Sequence, residues 1–207
     1  MQKQIFILLA LILFGCADSD FKKEWTDEKA PETFTATFET TKGAFGIEVK
    51  RKWSPKAADR FYQLIKHGYY DNAIFYRVVP GFVAQFGNTD TLKMKQWRSV
   101  KIPDEAVVQR NTKGSVSFAR SGKESRDLEL FINLNDNPVL DTLNFEGVKG
   151  FPAIGNVTKG MAVVSQLYSG YGEATMNDGN LYVNRTLFYQ SWPKLDLIKK
   201  AYLIQDK

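Results

Sequence analysis

Several textures of hydrophobic and polar residues follow one another along the chain. Residues 5–14, IFILLALILF, are an unbroken apolar run, and residues 17–32 beyond it are polar, charged and without period. From Thr33 the pattern alternates strictly: Phe34, Ala36 and Phe38 are separated by polar residues, as in a half-buried strand. AFGIEVK follows across Lys42-Gly43 and is expected to pair with it as a hairpin. The next period is helical. Ala57, Phe61, Leu64 and Ile65 share one face, Ser54 stands at the capping position, Pro55 suits the first turn, and Gly68 suits the left-handed close. His67, in the last turn, is expected at the surface.

Short strand-like runs then take over at 74–79, 82–86, 115–119, 129–134 and 154–157, with Gly- and Asn-rich turns between them. A second helix is expected over MAVVSQLY, and LIKKAYLI reads as a closing strand or helix-to-strand segment. Residues 88–111 carry no readable period beyond a turn at 102–104, and the tail from 172 onward reads as a surface extension. Many short strands, two helices and no β-α-β rhythm predict a β-barrel or closed sheet with helices at its ends.

Composition adds limits rather than a function. A chain of 207 residues with 43% hydrophobic content can bury one substantial core, which favours a single domain. The 28 basic and 23 acidic residues are scattered, so no basic stripe for nucleic acid is expected. With one histidine and one cysteine, neither a histidine-based triad nor a typical zinc site can be assembled, and no internal disulfide can form. No metal and no cofactor are expected.

The apolar run has a meaning of its own. Ten residues of helix cover about 15 Å, half the roughly 30 Å of a bilayer's hydrocarbon core, which is the length of a signal-peptide core behind the basic Lys3. It ends in LFGC. Leu-x-Gly-Cys after such a run resembles the lipobox of bacterial lipoproteins, although Phe14 is bulkier than the usual small residue there. The resemblance implies a signal peptide over 1–15, a lipid on Cys16, and a flexible tether over 16–32. The mature protein would then be anchored in the bacterial cell envelope by its acyl chains.

The stretch most suggestive of chemistry is FYRVVPGFVAQFG, residues 75–87. If 75–79 is a strand, Phe75, Arg77 and Val79 share one face. Pro80-Gly81 turns the chain, and Gln85 falls with Val83 on one side of the next strand. Arg77 would then lie near aromatic rings and a neutral amide, and on this stretch alone a rim arginine reaching for solvent suffices.

Together with GSVSFARSGKESRDLELFIN, NPVLD and GFPAIGNVTKGMAVVSQL, in that order over about residues 34–168, this stretch resembles the cyclophilin family of peptidyl-prolyl cis-trans isomerases. The resemblance implies a mainly β fold: a closed antiparallel barrel of about eight strands capped by two helices, spanning 33–207 with an extension after about 172. It implies that Arg77 is the catalytic arginine. Phe82, Val83, Phe131 and Leu140 would take the proline ring, Gln85 would hold Arg77, and Ala119 and Arg120 would pair with substrate main chain. Several positions depart from the family pattern. Arg120 stands for the usual Asn, Glu129 for a Gln, Val139 for a Trp and Phe151 for a His. Glu129 is expected to pair with Arg77 or with Arg126, and the loss of the indole at Val139 implies weak inhibition by cyclosporin. The implied partners are proline-containing peptides and unfolded exported proteins, the chain acting as a monomer. A proline-binding module without useful turnover is the alternative on the same fold, and an unrelated ligand-binding barrel lipoprotein the alternative outside it.

Overall fold

In a computed structural model the described residues are 21–204. The apolar run, Cys16 and the proposed cleavage site lie outside them. β1 (Thr33–Thr40) and β2 (Gly43–Lys50) form the expected hairpin in register Phe34 with Val49 and Phe38 with Phe45. α1 (Pro55–Lys66) follows, with Gly68 in the left-handed region at φ 64° as expected. Ser54 does not cap it through its side chain. Glu105 does so from a distant segment, its carboxylate accepting from the backbone N–H of Lys56 at 2.8 Å and of Ala57 at 3.2 Å. This gives α1's unpaired N–H groups an anionic partner.

β3 (Arg77–Val78) is shorter than the expected 74–79, and β4 (Val83–Phe86) pairs with it, Arg77 opposite Gln85. Between them Gly81 takes φ 74°. At the end of β4, Gly87 sits at φ 121°, where a Cβ would stand 2.7 Å from the Leu128 carbonyl, so the chain can pass only without a side chain. Next come α2 (Thr91–Arg98), β5 (Ser115–Phe118), β6 (Leu130–Asn133), α3 (Val139–Thr142), the small hairpin of β7 (Asn144–Phe145) and β8 (Val148–Lys149), and β9 (Ala153–Lys159). α4 (Met161–Val164), α5 (Arg185–Ser191) and β10 (Ile198–Leu203) complete the chain.

Eight strands form one antiparallel sheet in the order β10-β1-β2-β9-β5-β6-β4-β3. The two edge strands do not pair along their length. They approach through a single antiparallel bridge, Ile74 with Leu197, just ahead of each. The eight expected strands are thus present as a curled sheet whose edges meet at this bridge, where Phe75 N–H donates to the Asp196 carbonyl at 2.9 Å and Ile198 N–H to the Ala73 carbonyl at 2.8 Å. The concave side of the sheet holds the main core, where Phe38, Phe45, Phe61, Phe75 and Phe86 pack with ring centroids 5.0–6.3 Å apart.

Among the described residues there are five α-helices where two were expected. α2 begins at an Asp90 cap that accepts from Leu92 N–H at 2.9 Å, but it buries only Met94 and Trp97. α5 begins at an Asn184 cap and buries only Phe188. One or two apolar anchors per helix leave no period to read. The expected helix over 161–168 is also short, because Tyr168 N–H turns away to Asp196 at 2.6 Å. The tail after 172 is not a mere surface extension. Leu181, Phe188 and Leu195 form a second core with Ile74 and Tyr76 on the outer side of the sheet.

The stretch read as a tether is, over 21–32, fastened to the domain. Lys23–Asp27 makes a 3-10 turn that lays Trp25 flat on His67, centroids 4.0 Å apart and planes within 5°. Phe21 meets Trp97 edge-on at 5.1 Å, and the Gln63 amide donates to the carbonyls of Thr26 at 3.0 Å and Glu28 at 2.7 Å. His67 is therefore covered, not a surface residue, and its Nε2 faces the Glu28 carboxylate at 3.2 Å. Trp25→Ala is expected to cost about 1–2 kcal/mol, or roughly 3–8 °C in a thermal melt. The cavity described next should be unaffected, since the arm touches none of its lining residues.

Candidate active site

β3, β4 and β6 bring three side chains to one face because their registers align Arg77 with Gln85 and Gln85 with Phe131. Alternate residues of the same strands, Val78, Ala84 and Ile132, point into the core. The outward set opens on a cavity of about 410 Å³ lined by Arg77, Phe82, Val83, Phe131, Leu140 and Phe151. Val83, Phe131, Leu140 and Phe151 pack as a separate buried cluster with Phe82 and Ala119 at its margin. Phe131 and Phe151 meet edge-on at 5.8 Å.

A buried polar network holds the floor of this cavity in place. The Asn111 amide donates to the Phe151 carbonyl at 2.9 Å and to Asp141 at 2.8 Å, while its oxygen accepts from Ser117 and Asn133. Asn137 donates to the Phe82 carbonyl at 2.9 Å and to Asn133 at 2.7 Å. The wall segments at Phe82 and Phe151 are thus cross-tied through Asn137, Asn133 and Asn111 by a largely buried set of hydrogen bonds.

Arg77 stands at the cavity mouth, its guanidinium 5.5 Å from the Phe82 ring centroid and one fifth exposed. Nη1 donates to Gln85 at 3.0 Å, as expected. Nε and Nη2 donate to the two oxygens of Glu173 at 2.9 and 2.7 Å. Glu173 was not among the expected residues. It comes from the loop after α4, and no period or spacing in the sequence marked it. Leu143, Phe145 and Met176 also line the cavity without having been expected.

Three expectations are corrected. Val139, the first residue of α3, is 56% exposed and does not line the cavity, whereas the next residue, Leu140, is buried and does. Leu143 and Phe145 take that wall instead. Glu129 pairs neither with Arg77 nor with Arg126. It accepts from Arg98 at 3.3 Å and from the Tyr182 hydroxyl at 3.4 Å, in an adjoining depression that shares Gln85, Ala119 and Arg120 with the cavity. Arg126 is buried elsewhere, bound to Asp104, Glu105 and the Pro103 carbonyl. Part of the edge expected to pair with substrate is already used, since Ala119 N–H donates to the Glu129 carbonyl at 2.8 Å.

Two charges in this region are perturbed. Burial pushes the Glu129 carboxyl up to about 7, against the opposing pull of Arg98. Burial lowers the Arg120 guanidinium, whose Cζ lies 4.1 Å from the Phe151 ring centroid and whose Nη2 donates to the Val148 carbonyl at 2.7 Å. Arg120 thus lines one flank of the cavity beside Phe151.

A curled eight-stranded antiparallel sheet with an aromatic-lined cavity beside a glutamine-held arginine defines a cyclophilin-type domain. Comparison with known proteins agrees. The profile of the family "Cyclophilin type peptidyl-prolyl cis-trans isomerase/CLD" matches residues 35–185, and the chain belongs to that family. It is an enzyme of this type, a peptidyl-prolyl cis-trans isomerase. Peptidyl-prolyl cis-trans isomerase B of Escherichia coli is 30% identical over 176 residues, covering 82% of this chain and 99% of that one. A peptidyl-prolyl cis-trans isomerase of Acinetobacter baylyi is 32% identical over 130 residues, covering 62% of this chain and 68% of that one. Among solved structures, a Cryptosporidium parvum cyclophilin superposes with a TM-score of 0.60 at 20% identity, covering 84% of this chain and 99% of that one, and so supports the fold.

Proposed function

We propose that the cavity takes the proline ring of a peptide and that Arg77 lowers the barrier to rotation about the preceding bond. That barrier is about 18–20 kcal/mol because the twisted amide loses its resonance. No bond is made or broken, so the enzyme need only bind the twisted imide more tightly than either planar isomer. As the amide twists, the proline nitrogen becomes pyramidal and gains a lone pair. A guanidinium N–H aimed at that position favours the twisted state, and a dry setting strengthens the bond.

The observation that carries this reading is the placement of Arg77 over Phe82 at the mouth of an otherwise apolar cavity. Turnover of a proline peptide by the chain from Ala17 onward, followed by NMR exchange without a coupling protease, tests it. A rate indistinguishable from buffer would sink it.

The natural clients, in this reading, are exported proteins whose folding waits on slow X-Pro bonds. The support is the signal-like run at 5–14 and the Leu-x-Gly-Cys sequence at Cys16. Because residues 21–32 are docked, at most residues 17–20 separate the lipid from the folded domain, about 14 Å if extended. The domain then works close to the bilayer. Cys16→Ser is expected to abolish labelling by a radioactive fatty acid and to release the protein from the membrane fraction. Unlabelled wild-type protein in that fraction would overturn the anchor.

A further inference from the structure

Beside Gln85, the only group among the described residues that grips the Arg77 side chain is Glu173, and its geometry goes beyond what substrate binding requires. A guanidinium has five N–H donors. Glu173 takes two of them side-on through Nε and Nη2, and Gln85 takes one from Nη1. All three nitrogens are thus fixed, and two N–H groups remain for a substrate.

Glu173 is itself held. Thr175 Oγ donates to the carbonyl of Tyr76, the residue just before Arg77. Met176 N–H closes a turn onto the Glu173 carbonyl at 3.0 Å, and Ala174 N–H does the same onto Tyr171. Tyr171 meets Trp192 edge-on at 4.9 Å, and Trp192 donates to Asp178 at 2.8 Å, tying the loop to the second core. The loop therefore fixes the backbone position from which the Glu173 side chain, 60% exposed, reaches Arg77.

A carboxylate on the catalytic arginine has two opposed effects. It offsets part of the positive charge, and it fixes the plane of the guanidinium. The developing lone pair belongs to a neutral nitrogen, so a correctly aimed N–H matters more to it than net charge. An ion pair this exposed adds little stability on its own. Once a peptide covers the mouth and removes water, the same pair resists displacement more strongly. We propose that Glu173 is a positioning residue that holds Arg77 in its productive orientation. The proposal rests on the reading of Arg77 as the catalytic donor.

The test measures kcat and peptide affinity separately by NMR, in the full chain and in Glu173→Ala, Glu173→Gln, Arg77→Ala and the Arg77→Ala/Glu173→Ala double variant. Glu173→Ala is expected to lower kcat by about tenfold with affinity within about twofold. Glu173→Gln, which keeps one acceptor for Nε–H, should recover a third or more of the lost rate. In the Arg77→Ala background the Glu173 change should cost less than about twofold, because the two act as one unit. The Arg77 Nε–H resonance should exchange faster with water in Glu173→Ala than in the wild type. A Glu173→Ala rate equal to or above wild type would overturn the proposal, and so would a loss of rate that only mirrors a loss of affinity. If Arg77→Ala itself kept its rate, the reading of Arg77 would fail instead, so the two failures are distinguishable. Glu173→Gln carries the test should the alanine variant not fold.

Discussion

Replacing Arg77 with alanine is expected to lower kcat by about two orders of magnitude, with the far-ultraviolet spectrum and melting temperature unchanged. A hundredfold loss corresponds to about 2.7 kcal/mol of transition-state stabilisation, which is the scale of one well-placed donor in a water-excluded site. The fold should survive because Arg77 sits at the cavity mouth, outside the two main packed cores. Peptide affinity should change little, since the ring cavity formed by Phe82, Phe131 and Leu140 is intact. Arg77→Lys is expected to fall nearly as far. A single ammonium cannot meet Gln85 and both oxygens of Glu173 while keeping a donor aimed inward. An alanine variant within about threefold of wild type would show that the cavity walls, and not this arginine, lower the barrier.

Glu129 is expected to govern how stability varies with pH. Its carboxyl is raised from 4.5 to about 7 by burial, so between those values the folded protein holds a proton that the unfolded chain has released. Stability therefore falls as pH rises through that window and levels off above it. The full cost is about 3 kcal/mol at about 1.4 kcal/mol per unit. Glu129→Gln, which is neutral at every pH, should match the wild type near pH 4.5 and exceed it near pH 8 by up to about 8 °C in a thermal melt. An equal difference at both pH values would refute this account. Isomerisation should change by less than about twofold, because Glu129 is bound to Arg98 and Tyr182 while Arg77 is bound to Gln85 and Glu173. A faster Glu129→Gln enzyme would instead mean that the carboxylate restrains Arg77 from a distance.

How much of this was legible before the structure depends on whether a residue's role is local. The β1–β2 hairpin, α1 and the Pro80-Gly81 turn follow from periodicity and backbone rules that act within a few residues. The motif FYRVVPGFVAQFG carries Arg77 and Gln85 eight residues apart, and the antiparallel turn between them brings them opposite each other. α2 and α5 were invisible because each is held by one or two anchors and a cap rather than by an apolar stripe. The docking of 21–32 was invisible for a related reason. Its polar composition conceals Phe21 and Trp25, and only the aromatic surface offered by His67 and Trp97 gives those rings somewhere to go.

By itself, then, the sequence determined the family and the set of residues, Arg77, Gln85 and their apolar neighbours, that line the cavity, because these reside in contiguous motifs whose geometry is local. Only the tertiary structure decided which carboxylate meets that arginine. Glu129 looked the nearer partner along the chain, yet β6 directs it toward Arg98, and a loop 96 residues beyond Arg77 supplies Glu173 instead. Partner choice for a long charged side chain is settled by where separate elements converge in space, and no short-range pattern in the chain encodes that.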